Sequence, residues 1–134
     1  MSHSSKARYA AAAVIDLAGQ AAARPTTLAA IAQRQNISVS YLEQLFARLR
    51  AAGLLKSVRG PGGGYVLARP SQEITIADIY AAVKDRGAPN NDGDTSTGKT
   101  AALWRAVDHE VVKFLRGVTV HDVMLDKIAG PLPT

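Results

Sequence analysis

The sequence predicts a mainly α-helical chain with one small β-hairpin, followed by a polar stretch and a long amphipathic helix. Three observations point to this class. Alanine and leucine dominate an apolar fraction of 47%, and both are strong helix formers. Apolar residues recur at spacings of three and four in several segments bounded by capping residues, glycine or proline. The segment LLKSVRGPGGGYVLARP instead alternates on both sides of a glycine-rich centre, which is typical of a hairpin.

The first two helices are predicted on either side of Pro25, which cannot continue a helix. The first covers about residues 4–20. Thr26 or Thr27 is suited to cap a short second helix, LAAIAQRQ, by accepting a backbone N–H bond. Asn36 tolerates positive φ and marks the turn that follows. The apolar stripe of the first helix comprises Tyr9, Ala13, Ile15, Leu17 and Ala18.

The third helix is predicted over SYLEQLFARLRAAG. Its N-cap is either Ser38, or Ser40 paired with Glu43 in a capping box. Gly53 suits the position just after the helix. Its core-facing residues, at spacings of three and four, are Leu42, Leu45, Phe46 and Leu49.

A hairpin follows, with its tip between Gly60 and Gly64. Two short helices, a third helix and then a two-stranded hairpin is the order of a winged helix-turn-helix. The predicted fold is therefore mainly α with a small β-hairpin wing: a winged helix-turn-helix plus a long dimerisation helix.

The remainder of the chain predicts three more segments. A helix begins near Thr75, with Asp78 placed to complete a capping box, and KDRGAPNNDGDTSTGKT is a polar loop. AALWRAVDHEVVKFLRGV is a strongly amphipathic helix, and a last short helix is capped by Thr119 with Asp122. We expect a DNA-binding domain over residues 1–84, a flexible loop of sensory type over 85–99, and the dimerisation and C-terminal helices over 100–134.

The charge is distributed unevenly. The net charge is +5, but residues 1–70 hold nine Lys or Arg against two acidic residues, whereas residues 71–134 hold seven against nine. A basic segment joined to a mildly acidic one favours a polyanion-binding module, although a solvated basic face accounts for the charge equally well. No apolar run approaches the length of a membrane span, and the N-terminus lacks the apolar stretch of a signal peptide, so we expect a cytoplasmic protein.

The long helix carries one apolar face, which includes the single tryptophan. That face either covers the N-terminal core or pairs with its copy in a homodimer. We favour the homodimer, because winged-helix modules usually bind two-fold operators as two-fold dimers. The interface residues we expect are Leu103, Trp104, Val107, Val111 and Leu115.

The third helix is the candidate recognition helix, with its N-terminal end in the major groove. Gln44 suits an adenine edge, and Glu43 suits a cytosine amino group, where it would also disfavour other sequences. Arg48 and Arg50 are either phosphate contacts or solvent-facing charges. The polar residues left at this end once the apolar positions face the core are Ser38, Ser40, Tyr41, Glu43 and Gln44.

A wing that enters the minor groove would account for the glycine-rich hairpin around Arg59. A hairpin next to a helix in the major groove would enter the minor groove, which is about 6 Å wide. We expect the glycines of the tip to avoid clashes there and Pro61 to stiffen it. Arg59 would enter a narrow A·T-rich groove, with Lys56 and Ser57 on phosphates. A nucleotide-binding loop is disfavoured because no GxGxxG or GxxxxGK[ST] pattern is present.

These blocks together resemble one family. YLEQLF and RGPGGGY, within the stretch from ISVSYLEQLF to ITIADI, are similar to the signature region of the iron–sulfur cluster regulators, the IscR-like bacterial repressors and activators of the Rrf-two superfamily. The resemblance covers essentially the whole chain. It implies a winged-helix homodimer, for which dimer symmetry and the Arg59 wing predict a palindromic operator with A/T-rich flanks. It also implies DNA contacts from Ser38, Ser40, Tyr41, Glu43, Gln44, Ser57, Arg59 and Gly60; we add Arg50 as a candidate.

The chain departs from that family at the cluster site. Cluster-binding relatives carry three cysteines in the loop before ALW and a histidine near it; this sequence has no cysteine, and Ala101 stands where the histidine is expected. Because such clusters are held by thiolates, we expect no cysteine-ligated cluster. A metal, an unusually ligated cluster or a metabolite near the loop stays open, with Asp92, Asp94, His109 and the more distant His121 as weak ligand candidates. An enzyme is disfavoured, since no nucleophile or carboxylate pair stands out; a sequence-independent architectural DNA binder is a further alternative.

Overall fold

The computed structural model describes residues 3–20, 24–84 and 98–126. It confirms the mainly α-helical fold with one antiparallel hairpin. The elements in chain order are α1 (His3–Ala18), α2 (Leu28–Gln35), α3 (Val39–Ala51), β1 (Leu55–Val58), β2 (Gly64–Leu67), a 3₁₀ turn (Ser71–Glu73), α4 (Ile76–Val83), α5 (Ala101–Leu115) and α6 (Val120–Met124).

Side-chain caps set where the helix-turn-helix begins and turns. Thr27 Oγ1 accepts a hydrogen bond of 3.1 Å from the Ala30 N–H and starts α2. Asn36 adopts φ 56°, as its tolerance of the left-handed region predicts. Ser38 Oγ accepts from the Tyr41 N–H at 3.2 Å and starts α3. The alternative capping box at Ser40 is wrong, because Ser40 already lies inside the helix.

One apolar core joins the helices. α1 contacts α2, α3, α4, α6 and β2, so it lies at the centre of the packing. The side chains of Phe46 and Leu42 are fully buried, as the spacing of the apolar residues predicts, and Ile31 of α2 is fully buried as well. Tyr9 differs from prediction: its side chain is 46% exposed rather than part of the core.

The chain segment after α5 returns to this same core. Main-chain bonds of 2.8 Å run from the Ile76 N–H to the Val118 carbonyl and from the Val120 N–H to the Ile74 carbonyl. Thr75 with Asp78, and Thr119 with Asp122, form the two predicted capping boxes. Val120 is fully buried within the core that residues of α1–α4 build. α6 is therefore packed against α1 and the 3₁₀ turn rather than held only by α5.

The hairpin is fastened to the segment before α2. β1 and β2 pair antiparallel, with Leu55 opposite Leu67 and Val58 opposite Gly64. The Tyr65 N–H donates to the Thr26 carbonyl at 2.8 Å, and the Thr26 N–H donates to the Tyr65 carbonyl at 3.0 Å. The Tyr65 ring also meets Phe46 of α3 edge-on, with ring centroids 5.0 Å apart. These contacts fix the hairpin beside α3.

α5 has two different long faces. The Tyr80 hydroxyl of α4 donates to Asp108 at 2.8 Å, and Lys84 Nζ lies 3.7 Å from the same carboxylate. Burial, together with the hydrogen bond and the charge of Asp108, raises the pKa of the Tyr80 hydroxyl. Ala101 is the buried residue of α5. The opposite face is exposed, with Leu103 54% and Phe114 50% accessible.

Within the part of the chain that the structure describes, no helix is long and apolar enough to cross a membrane.

Candidate nucleic-acid interface

The outer face of α3 carries the predicted base-reading side chains. Ser40, Glu43 and Gln44 are all exposed on it. Ser38 is exposed as well, but its Oγ already caps the helix. Tyr41 is half-buried and lies at one edge of the face. The first turn of α3 contains no acidic residue, so the positive end of the helix dipole is not offset there.

Glu43 is available to a base. Because Ser38 rather than Ser40 caps α3, Glu43 takes no part in a capping box. Its carboxylate is an acceptor that phosphates repel, so it contributes to binding only where it reaches a base amino group. The capping role considered for Glu43 is therefore wrong, and its contact with a base stays a prediction.

Val39 was missed by the sequence reasoning. It is the first residue of α3, and its side chain is 48% exposed. It lies one helical turn before Glu43, so the two share a face. An apolar side chain at this end of a recognition helix can contact a thymine methyl group. The sequence signal for Val39 was its position immediately after the N-cap residue Ser38.

The tip of the wing presents Arg59 directly after β1. Arg59 and Gly60 are both exposed. The hairpin itself requires glycines at its tip, a reason that does not depend on the groove width suggested by the sequence. Gly60 and Gly62 adopt φ of 94° and 74°, where L-residues are strained. A Cβ on Gly64 would lie 2.4 Å from the Thr26 carbonyl oxygen.

The two arginines at the end of α3 have different partners. Arg50 Nη1 lies 3.5 Å from Ser57 Oγ of β1, so two residues predicted separately as DNA contacts connect the recognition helix to the wing. Arg48 Nη1 donates to the Val83 carbonyl at 2.9 Å, which covers the end of α4. The sequence predicted Arg48 as a phosphate contact or a solvent-facing charge, and neither prediction includes this bond to Val83.

A polar cluster sets the position of α2 against α1. Arg34 Nη2 lies 2.6 Å from Asp16 Oδ1, and Gln35 Nε2 donates to Asp16 Oδ2 at 2.8 Å. Burial acts to raise the pKa of Asp16, but the hydrogen bonds from Arg34 and Gln35 and the charge of Arg34 outweigh it, so this pKa is lowered. Gln20 adds a bond to the Asp16 carbonyl. The helix that precedes α3 is thereby held by charge-assisted bonds.

The exposed face of α5 contains most of the residues predicted for a dimer interface. Leu103 and Trp104 are exposed, and Val107 and Val111 are half-buried in a shallow apolar groove. Phe114, which the sequence reasoning did not select, closes that groove. Leu115 is half-buried, at spacings from Asp108 and Val112 that place it nearer the α4 side.

Helix-turn-helix packing, an exposed α3 and an anchored hairpin beside it together define a winged helix-turn-helix DNA-binding protein. The family model described as "Rrf2: Iron-dependent Transcriptional regulator" matches residues 3–126. The chain belongs to the Rrf2 family and is a DNA-binding transcriptional regulator of the IscR type, not an enzyme.

Named relatives and solved structures agree with this placement. The chain is 45% identical over 128 residues to the HTH-type transcriptional regulator IscR of Vibrio cholerae, covering 91% of this chain and 74% of that protein. It is 44% identical over 131 residues to a putative HTH-type transcriptional regulator of Neisseria meningitidis, covering 93% and 88%.

Solved structures at more than 30% identity share the fold. The structure of T. potens IscR superposes with a TM-score of 0.75 at 35% identity, covering 98% of this chain and 91% of that one. CymR, the global cysteine regulator of B. subtilis, superposes with a TM-score of 0.71 at 37% identity, covering 92% and 95%.

The donor set does not fit an iron–sulfur cluster held by thiolates. The 134 residues contain no cysteine. In the described ranges no three His, Asp or Glu side chains converge as metal ligands. His109 is exposed on α5, and His121 Nδ1 lies 3.4 Å from Ser71 Oγ. The candidate ligands Asp92 and Asp94, and most of the predicted 85–99 loop, lie outside the described residues.

Proposed function

We propose that this regulator binds a palindromic operator as a homodimer, with α3 in the major groove and the Arg59 wing in the adjacent minor groove. The observation that carries the proposal is the wing itself. Arg59 leads a short glycine-rich tip, and main-chain bonds hold that hairpin beside α3. A rigid arm with one cation fits a narrow groove of high negative potential, which favours A/T-rich flanks.

α3 supplies the base contacts in this proposal. Ser40, Glu43 and Gln44 share its exposed face, and Arg50 with Ser57 joins that face to the wing. Gln44 suits adenine and Glu43 suits a cytosine amino group. Ser38, Tyr41 and Gly60 lie at the margins, where contacts to phosphates position the protein without reading sequence.

The homodimer is supported by the apolar face of α5. Leu103, Val107 and Phe114 follow helical spacing along a face that the described part of the chain leaves exposed. Burying such a face against its two-fold copy removes apolar surface from water. A two-fold dimer then presents two α3 helices to the two halves of a palindrome.

The proposed regulator functions without a cysteine-ligated iron–sulfur cluster, because the sequence supplies no thiolate. We expect anaerobically purified protein from iron-replete cells to be colourless and free of iron by elemental analysis. A visible absorption band with stoichiometric iron would contradict this part of the proposal.

The DNA interface is tested with Arg59→Ala. The preferred operator is selected from random duplex DNA, and affinity is measured by fluorescence anisotropy over a range of salt concentrations. We expect Arg59→Ala to lower operator affinity about 10-fold or more, the value of one charge-assisted contact. The slope of log affinity against log salt should fall by about 0.9, since one cation no longer displaces counterions.

Arg116→Ala is the matched control. It removes an exposed arginine at the end of α5 and should leave both quantities nearly unchanged. If Arg59→Ala bound the operator as the unmodified protein does, the wing assignment would be wrong. Equal affinity of the unmodified protein for operator and random DNA would instead identify a sequence-independent binder.

A further inference from the structure

A tyrosine pair lies at the edge of α3 that faces α1. The rings of Tyr9 on α1 and Tyr41 on α3 meet edge-on, with centroids 5.8 Å apart and planes at 90°. This is a favoured aromatic geometry. Tyr41 is half-buried, whereas Tyr9 is 46% exposed although the helical spacing predicted it in the core. The pair is thus ordered by packing and still open to a partner.

The pair sits at the end of α3 that would enter the groove. The Tyr41 N–H donates to the capping Ser38 hydroxyl, so Tyr41 belongs to the first turn of the helix. Lys6 lies one turn before Tyr9 on α1, which places both on one side of α1. The first turns of α1 and α3 contain no acidic residue. The surroundings favour a negatively charged partner.

The wing occupies the other edge of α3. Arg50 reaches Ser57 of β1 there, whereas Tyr41 turns toward α1. A helix in the major groove lies between the two sugar–phosphate backbones that border it, about 12 Å apart. Elements on either side of such a helix therefore face phosphates of different strands.

We propose that the Tyr9 hydroxyl group binds a backbone phosphate while the edge-on contact with Tyr41 holds the Tyr9 ring in place. α1 is then a third element of the DNA interface. The inference rests on the proposed function, because it places α3 in the groove. A phenol suits this contact: its ring is fixed by the edge-on packing, and its O–H donates to a phosphate oxygen without adding charge.

Tyr9→Phe isolates the contact, since it keeps the ring and removes the hydroxyl. We expect affinity to fall about 3- to 10-fold, the usual range for one hydrogen bond, and to fall equally on the operator and on unrelated duplex DNA. The salt slope should stay unchanged, because a neutral donor displaces no counterion. A purely structural role for the ring would move none of these quantities in the Phe variant.

Operators with single methylphosphonate linkages locate the phosphate. A methylphosphonate at the linkage that Tyr9 contacts should lower the affinity of the unmodified protein. The same linkage should not lower the affinity of Tyr9→Phe any further. Tyr80→Phe is the matched control, because it removes a hydroxyl that is bonded to Asp108 instead. It should leave DNA affinity unchanged.

The possible outcomes distinguish a failure of the Tyr9 contact from a failure of the proposed function. If the unmodified protein binds the operator and Tyr9→Phe binds equally well, the phosphate contact is wrong and the proposed function stands. A loss confined to the operator, or a changed salt slope, would also overturn the assignment to a phosphate. If the unmodified protein prefers no sequence at all, both the proposed function and this inference fail.

Discussion

At the scale of single residues, main-chain geometry accounts for features that side-chain chemistry alone did not explain. The glycines of the wing are one case. Gly64 passes so close to Thr26 that any Cβ would overlap its carbonyl group. Gly60 and Gly62 occupy positive φ. These residues are needed to form and dock the hairpin whether or not DNA is bound.

Gly64→Ala tests this explanation. The added methyl group would lie 2.4 Å from the Thr26 carbonyl oxygen, so the Thr26–Tyr65 bonds must lengthen or break. We expect the free energy of unfolding to fall by about 1–3 kcal/mol, as overpacking usually costs, and operator affinity to fall because the wing shifts. Denaturant melts and anisotropy titrations measure the two effects.

Gly19→Ala provides the comparison for Gly64→Ala. A Cβ at Gly19 would meet its nearest atom, the Ile15 carbonyl oxygen, at 3.5 Å, an ordinary contact. This variant should change neither stability nor DNA affinity appreciably. Unchanged stability in Gly64→Ala as well would show that the hairpin adapts without using the Thr26 bridge.

At the scale of elements, α5 is the helix whose two faces have different roles. Asp108 ties one face to Tyr80 of α4, whereas Leu103 and Phe114 lie exposed on the other. A surface helix that presents apolar side chains to solvent on its outer face marks an interaction site. Its role is therefore tested separately from that of the DNA-binding elements.

Phe114→Glu should separate the proposed homodimer into folded monomers. The new carboxylate would stand one turn from Glu110, which also lines the apolar groove, and a pair of like charges that the dimer would bury is costly. We expect sedimentation velocity to show the monomer mass, with the helical circular dichroism retained. Operator affinity should fall at least 10-fold, because one half-site is lost from each complex.

Ala102→Glu is the matched control for Phe114→Glu. It adds the same charge to an exposed position on α5 that is off the apolar face and near the helix N-terminus, where a carboxylate is favoured. It should remain dimeric. A dimeric Phe114→Glu variant with undiminished operator affinity would contradict the assignment of this face.

At the scale of the whole molecule, the sequence predicted the elements better than the contacts between them. Capping residues such as Thr75 and Thr119, and the spacing of Leu42, Leu45 and Phe46, are local signals, so helix positions and the hairpin followed from them. The bond from Arg48 to Val83 and the Tyr9–Tyr41 pair join residues far apart along the chain. No local pattern encodes such contacts. The exposure of Phe114 likewise depends on which face α4 covers.

The response of the whole fold to acid follows from Asp16. Its lowered pKa means that the folded state holds this carboxylate ionised more readily than the unfolded chain does. The stability it contributes is complete above the ordinary carboxyl range, near pH 4, and is lost as pH falls through the lowered pKa of the folded state. Asp16→Asn should therefore reduce stability at pH 7 by about 1 kcal/mol, and the deficit should shrink toward pH 3.

Thermal melts from pH 7 to pH 3 at one protein concentration measure this dependence, since a dimer's melting temperature varies with concentration. Asp126→Asn serves as the control. Asp126 is exposed and has φ 58°, which asparagine adopts readily. If the loss of stability in Asp16→Asn were the same from pH 7 to pH 3, the Asp16 cluster would act through side-chain packing rather than through its charge.

The anchoring of the wing has an evolutionary consequence. The hairpin is held by main-chain atoms of Thr26 and Tyr65 and by the close approach at Gly64, none of which depends on the side chain at position 59. Mutation can replace that side chain while the arm keeps its place. Duplicated copies of such a gene are therefore able to diverge in the operators they recognise without first rebuilding the fold that presents them.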